Sequence, residues 1–237
     1  MGSSNSHVIL IGAGELDRSQ AITIQQEKQN GSYVIALDGG LVFCSNYSIE
    51  PDMIVGDFDS LKEELLNELR TKKEISKTSD LEVQQLLSKF PSDIIHRLPC
   101  EKDDTDTLAA IKMAVEKGYK SFTIYGGLGG RFSHTMANIQ SLLYLKEQGL
   151  HGELIGSNSK VFLLRNESVT LQPQANGYIS IFSYTEKAQG VTLKNLKYEI
   201  DNVELTNSFP IGVSNEFIGK EAVISVMQGV LLIVVEC

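Results

Sequence analysis

Two carboxylates, Asp57 and Asp59, stand two positions apart in Gly56-Asp57-Phe58-Asp59-Ser60, directly after the apolar run Met53-Ile54-Val55. In an extended chain alternate side chains share a face, so this spacing puts both acids on one side. Like charges that close repel unless a cation lies between them. Mg²⁺ suits such a pair, because it takes oxygen ligands, commonly one or two carboxylates together with substrate phosphates. Capping competes for the same residues: Asp59 or Ser60 would cap a helix opening at Leu61. A second acidic group, Glu101, Asp103, Asp104 and Asp106, crowds another helix start around Thr105. The helix dipole favours acids there by about 0.3–1 kcal/mol each. Four exceed what capping needs, and one is expected to ligate the same cation. Asp38-Gly39-Gly40 closes a further apolar run, where two glycines let backbone approach a ligand. A turn-forming Asp-Gly accounts for it equally well.

The anion side of the chemistry lies in Gly126-Gly127-Leu128-Gly129-Gly130-Arg131-Phe132-Ser133-His134. Glycines between a strand and a helix bare backbone N–H groups, and a helix start favours anions. Arg131 adds a guanidinium fork that suits phosphate. The loop is neither a Walker A sequence nor the dinucleotide G-x-G-x-x-G. His134 is either a polar contact to the ligand or a residue of the helix start. A cation held by carboxylates near an anion cradle is the minimum kit for phosphoryl-type transfer, in which positioning and charge neutralisation supply most of the catalysis.

Ligands of open α/β sheets bind beyond the carboxyl ends of the strands. The clusters follow apolar runs that suit strands buried on both faces: Val8–Ile11, Tyr33–Leu37, Met53–Val55, Ile94-Ile95 and Phe122–Tyr125. Between them, Leu61, Leu65, Leu66 and Leu69 recur at helical spacing. So do Leu81, Leu86, Leu87 and Phe90, then Leu108, Ile111 and Val115, then Met136, Ile139, Leu142 and Leu143. This alternation predicts a three-layer domain, a mostly parallel sheet with helices on its faces. Beyond residue 155 helix signals vanish. Short strand-like runs from Val161 to Val235, separated by Asn176-Gly177, Gly190, Asp201-Asn202, Gly212, Gly219 and Gly229, predict an antiparallel sandwich or small barrel. The boundary is placed near Gly156-Ser157-Asn158, giving domains 7–155 and 156–237.

A net charge of −9 without a basic stripe argues against a nucleic-acid binder. The longest apolar stretch, Val230–Val235, is far short of the roughly 20 residues of a membrane helix. Residues 1–7 lack the basic region and apolar run of a secretory signal. Cys44, Cys100 and Cys237 are too widely spaced for a disulfide framework or a metal-binding pair, and read as ordinary thiols of a reducing cytoplasm.

Taken in order, the motifs resemble the thiamine pyrophosphokinase family. The residues that carry the likeness are Asp38-Gly39-Gly40, Pro51-Asp52 leading to Gly56-Asp57-Phe58-Asp59-Ser60, Asp103 with Thr105-Asp106, Gly126-Gly127-x-Gly129-Gly130-Arg131-Phe132-x-His134 with Ala137-Asn138, Gly190-Val191-x-Leu193-x-x-Leu196-x-Tyr198, and Val213-Ser214-Asn215-Glu216. The resemblance implies an N-terminal α/β domain and a C-terminal antiparallel β-sandwich, in a homodimer with its site at the subunit interface. It implies transfer of the pyrophosphoryl group of ATP, the co-substrate, to the hydroxyl of thiamine, releasing AMP. It implies that Asp57, Asp59 and Asp106 bind Mg²⁺. The nucleotide site would include Asp38, Ser60, Thr105, Gly129, Gly130, Arg131 and His134, and Ser214 and Asn215 would reach thiamine. Two departures stand out. Ser133 occupies a position where the family usually has Asp, and the stretch from Leu61 to Pro99 is longer than usual. Rival readings are a pyrophosphokinase acting on a pterin alcohol, a Mg²⁺-dependent nucleotide hydrolase, and a non-catalytic thiamine or nucleotide sensor.

Overall fold

Five apolar runs become parallel strands: β1 (His7–Ile11), β2 (Tyr33–Leu37), β3 (Met53–Gly56), β4 (Ile95–Arg97) and β5 (Ser121–Tyr125). The computed structural model describes residues 6–59, 61, 62, 65, 80–99 and 103–236. Ser60, Leu66, Leu69, Cys100, Glu101 and Cys237 lie outside these, as does much of the long Leu61–Pro99 stretch.

The parallel strands run in the order β5-β1-β2-β3-β4. Strands β1 to β4 step one way across the sheet and β5 returns to the other side of β1, so the order reverses between β1 and β5. Helices carry the crossovers: α1 (Arg18–Gln29), α2 (Gly40–Asn46), α3 (Asp80–Leu87) and α4 (Asp106–Glu116). Alternate residues of the strands face opposite sides of the sheet, and both sides are buried. Ile9, Ile11, Val34, Ala36 and Ile54 pack with Ala21 and Ile24 of α1 and Leu41, Val42 and Cys44 of α2. The intervening Leu10, Ile35, Met53 and Val55 are buried as well. Helix α4 contacts β1, β2 and β3 through a stripe on which Ala110, Ile111 and Ala114 are buried. Burial among these apolar groups pushes the Cys44 thiol up to about 12, so it stays protonated and inert.

Two of these helices carry too weak an apolar stripe to be read from periodicity. Helix α1 is mostly polar, and buries only Gln20, Ala21 and Ile24. It is started by a capping box, in which Asp17 accepts from the N–H groups of Ser19 and Gln20 while the Gln20 side chain accepts from the N–H of Asp17. Helix α2 is only seven residues long and opens on glycine.

The chain divides into two compact units. One runs to Ser141 and takes back Leu154–Ser157; the other holds Leu142–Glu153 and the chain from Asn158 onward. Helix α5 (Phe132–Glu147), expected from Met136, Ile139, Leu142 and Leu143, runs across one point of division, and strand β6 (His151–Ile155), which had no sequence signal of its own, across another. The second unit is a sandwich of antiparallel strands: β7 (Ser159–Arg165), β8 (Ser168–Leu171), β9 (Tyr178–Ser183), β10 (Lys187–Lys194), β11 (Ile200–Thr206), β12 (Asn215–Glu216), β13 (Ala222–Ser225) and β14 (Val230–Glu236). Strands β12-β9-β14-β7 form one layer and β11-β10-β13-β8 the other. Ile179, Ile181, Leu231 and Ile233 of the first pack with Val191, Leu193, Leu205 and Ile224 of the second. The fold is α/β plus β-sandwich, and the barrel alternative falls away. Among the described residues no helix is long and apolar enough to cross a membrane.

Candidate active site

Asp38 follows β2 in a left-handed conformation, φ 42°, and is buried. A side chain in that region is strained and persists where its surroundings over-determine it. Here the Asp38 N–H donates to the Val55 carbonyl at 2.9 Å, and Asp38 Oδ1 accepts from the Leu61 N–H at 3.0 Å. The turn also needs glycine at 56, where a Cβ would lie 3.0 Å from Asp38 Cβ.

Strand β3 ends at Gly56, and the loop does not continue extended. Phe58 has φ 71°, which breaks the alternation that was expected to put Asp57 and Asp59 on one face. Asp57 Oδ1 instead accepts from the Asp59 N–H at 3.1 Å, and Asp59, exposed, begins a helical turn continued by Leu61 and Lys62. The capping expected of Asp59 is thus supplied by Asp57 and Asp38, which accept from N–H groups of that first turn. Ser60 lies outside the described residues.

The acids before α4 separate in the same way. Thr105 is the N-cap, its hydroxyl oxygen accepting from the Leu108 N–H at 3.2 Å, and Asp106 occupies the first turn. Asp104 pairs with Lys112 at 2.7 Å, and Asp103 is exposed. One carboxylate oxygen from each of Asp38, Asp57 and Asp106 lies within 4.8 Å of the others. Two like charges about 5 Å apart repel by roughly 3 kcal/mol at an effective dielectric of about 20. Helix starts at Asp59 and Asp106 offset part of this through their positive dipole ends. The donor set is all carboxylate oxygen, which fits a hard divalent cation such as Mg²⁺. Asp38 therefore joins Asp57 and Asp106 in this group, and Asp59 stands outside it.

The glycine loop stands at the same carboxyl edge of the sheet, where the strand order reverses. The loop after β1 interlocks with it: the Gly12 N–H donates to the Tyr125 carbonyl at 2.8 Å and the Gly14 N–H to the Gly126 carbonyl at 3.0 Å. A Cβ at Gly14 would stand 2.5 Å from the Gly126 oxygen and 2.6 Å from that of Leu128. The Gly12-Ala13-Gly14 sequence was a signal for this contact once β1 was placed beside β5. Gly129 and Gly130 take positive φ of 80° and 62°. Arg131, Ser133 and His134 are exposed at the start of α5, and the Arg131 carbonyl accepts from the His134 N–H at 2.9 Å.

Asn138 ties the loop down. It is buried on α5, and its Nδ2 donates to the Gly127 carbonyl at 2.8 Å. Asn138→Ala leaves that buried carbonyl without this partner, at a cost of about 1–3 kcal/mol. We expect a lower melting temperature together with a raised KM for the phosphate-bearing substrate. A variant with wild-type values for both would show that the tether does not shape the loop.

In the second unit, Ser214 is exposed with φ 57°, and its N–H donates to Ser180 Oγ at 3.1 Å. Asn215 is buried. Its Oδ1 accepts from the N–H groups of Tyr198 at 3.0 Å and Glu216 at 2.9 Å, and its Nδ2 donates to the Tyr198 carbonyl at 2.7 Å. The amide is thus used largely to pin the Tyr198 backbone.

The family model for thiamin pyrophosphokinase, catalytic domain, matches residues 24–153, and that for thiamin pyrophosphokinase, vitamin B1 binding domain, matches residues 168–231. This chain belongs to the thiamin pyrophosphokinase family. It is 27% identical over 201 residues to a thiamine pyrophosphokinase of Bacillus subtilis (strain 168), covering 84% of this chain and 85% of that one. It is 25% identical over 197 residues to thiamin pyrophosphokinase 1 of Caenorhabditis elegans, covering 78% and 71%. Two solved thiamin pyrophosphokinase structures share the fold. The one from Bacillus subtilis has a TM-score of 0.80 at 23% identity over 97% of this chain and 98% of that one. The yeast one has a TM-score of 0.65 at 18% identity over 99% and 87%. The catalytic-domain match to the thiamin pyrophosphokinase family spans all three converging carboxylates and the glycine loop.

Proposed function

We propose that this protein transfers the pyrophosphoryl group of ATP to the hydroxyl of thiamine, giving thiamine diphosphate and AMP. The observation that carries the reading is the convergence of Asp38, Asp57 and Asp106 to within 4.8 Å, in a chain of this family. Those three residues would hold Mg²⁺, with Asp59 at the exposed rim of the same loop. When bound, the ion would supply positive charge to neutralise the phosphates.

The protein's own groups supply the rest. N–H groups of Gly129 and Gly130 with the Arg131 guanidinium receive the phosphates; Ser60, Thr105 and His134 complete the nucleotide site. The thiamine hydroxyl forms a bond to the β-phosphorus as the bond from that phosphorus to the α,β-bridging oxygen breaks. AMP departs with that oxygen, and the hydroxyl proton passes to solvent. A loose transition state needs little help from a general base. In the division of labour proposed here, residues 7–155 carry nucleotide and cation, and residues 156–237 carry thiamine. Ser214 contacts thiamine directly, and Asn215 acts chiefly by fixing the Tyr198 backbone. The working form is a cytoplasmic homodimer with the site at the subunit interface.

AMP release from Mg·ATP, measured with and without thiamine on purified protein, tests the reading. Thiamine-dependent AMP, matched by thiamine diphosphate, is the expected result. AMP formed equally without thiamine would make it a hydrolase, and tight thiamine binding with no turnover a sensor.

A further inference from the structure

Phe58 is an odd residue to find between two acids. A bulky side chain at φ 71° is held in the left-handed region against its own preference. It is nonetheless buried, packed with Ile54, Leu61, Val83 and Leu86. The kink at Phe58 takes the loop out of extended geometry, so that Asp57 joins Asp38 and Asp106 while Asp59 starts a helix. Whatever fixes Phe58 therefore fixes the carboxylate group.

Arg97, the last residue of β4, lies on the other side of this ring. In the parallel register Arg97 is the partner of Gly56, and the Leu98 N–H donates to the Gly56 carbonyl at 2.9 Å. Its side chain reaches over the Phe58 ring, with the guanidinium carbon 4.9 Å from the ring centroid. Arg97 is exposed and Phe58 is not, so the guanidinium covers the ring. A planar cation on an aromatic face is attracted to the ring's negative face and keeps its N–H groups solvated at the edge.

We propose that Arg97 is a positioning residue for the carboxylate group: seated on Phe58, it holds the strained turn that aims Asp57 at Asp38 and Asp106. This inference rests on the reading that those acids hold a divalent cation. The two possible effects of Arg97 have opposite signs. As a bare positive charge it would repel a cation, so its removal would tighten cation binding. As a clamp it organises the ligands, so its removal would weaken binding.

The test is Mn²⁺ binding to the full chain without nucleotide, followed by the EPR signal of free Mn²⁺. Arg97→Met keeps much of the stem and loses the charge; its Kd for Mn²⁺ is expected to rise about tenfold, the scale of a lost supporting contact at a metal site. Arg97→Lys should recover part of the loss. Phe58→Leu should show a similar rise, and the Phe58→Leu/Arg97→Met double variant little more than either single. Unchanged or tighter Mn²⁺ binding by Arg97→Met would overturn the proposal. So would unchanged Mn²⁺ affinity with a raised KM for ATP, which would make Arg97 a phosphate contact. Should Phe58→Leu fail to fold, the Arg97 variants decide alone, since they alter an exposed side chain. Absence of Mn²⁺ binding by the wild-type protein would instead overturn the carboxylate reading, and this inference with it.

Discussion

Asp57→Asn is expected to lower kcat by about 10²–10³-fold, the range seen when one preorganised electrostatic contact to a developing charge is removed. The substitution keeps the shape of the side chain and an Oδ1 that can accept from the Asp59 N–H, now at 3.1 Å. It takes away one negative charge of three gathered within 4.8 Å. Because those charges repel one another without a cation, the variant should melt at the wild-type temperature or slightly above it. Loss of turnover with retained or improved stability is the signature of a residue kept for chemistry rather than folding. Near-normal turnover would remove Asp57 from the cation site. A melting temperature lowered along with activity would mean that the variant had lost structure rather than a ligand. Raising Mg²⁺ should recover part of the activity if the remaining Asp38 and Asp106 still bind it weakly.

The sequence told where the chemistry would sit better than how it would be arranged. Parallel strands buried on both faces leave continuous apolar runs, and these marked the carboxyl edge at which every candidate cluster lies. The Asp57-x-Asp59 spacing misled because it was read with the period of a strand, and Phe58 at φ 71° abolishes that period. Asp38 read equally well as a strand-end ligand residue or as an Asp-Gly turn, and the resemblance placed it in the nucleotide site rather than among the cation ligands. Its place beside Asp57 and Asp106 depends on β2 and β3 being neighbours and on α4 starting beside them, which spacing along the chain does not encode. Asn215 shows the converse. The resemblance put it at thiamine, and nothing in the sequence signalled that its side chain also holds the Tyr198 backbone. The Arg97–Phe58 contact crosses two strands and had no local signal at all.

The largest effect on stability is expected from Gly126→Ala. Gly126 has φ 65°, where an L side chain costs about 1–2 kcal/mol. Its Cβ would also stand 2.5 Å from the Gly12 carbonyl oxygen. That oxygen cannot easily retreat, because the Gly12 and Gly14 N–H groups are bonded to the Tyr125 and Gly126 carbonyls. Overpacking of this kind adds about 1–3 kcal/mol. The sum, about 2–5 kcal/mol, corresponds to a fall of roughly 4–20 °C in melting temperature for a chain of this size. Gly130→Ala separates the two causes. Gly130 has a similar φ of 62° but nothing within 4 Å of an added Cβ, so only the backbone cost should apply, roughly 2–8 °C. Thermal melting of the two variants side by side checks the difference. Equal shifts would mean that the β1 loop yields to the added methyl and does not hold the glycine loop in place. A clearly larger shift for Gly126→Ala would show that the phosphate cradle is built on backbone touching backbone, where the first and fifth strands meet.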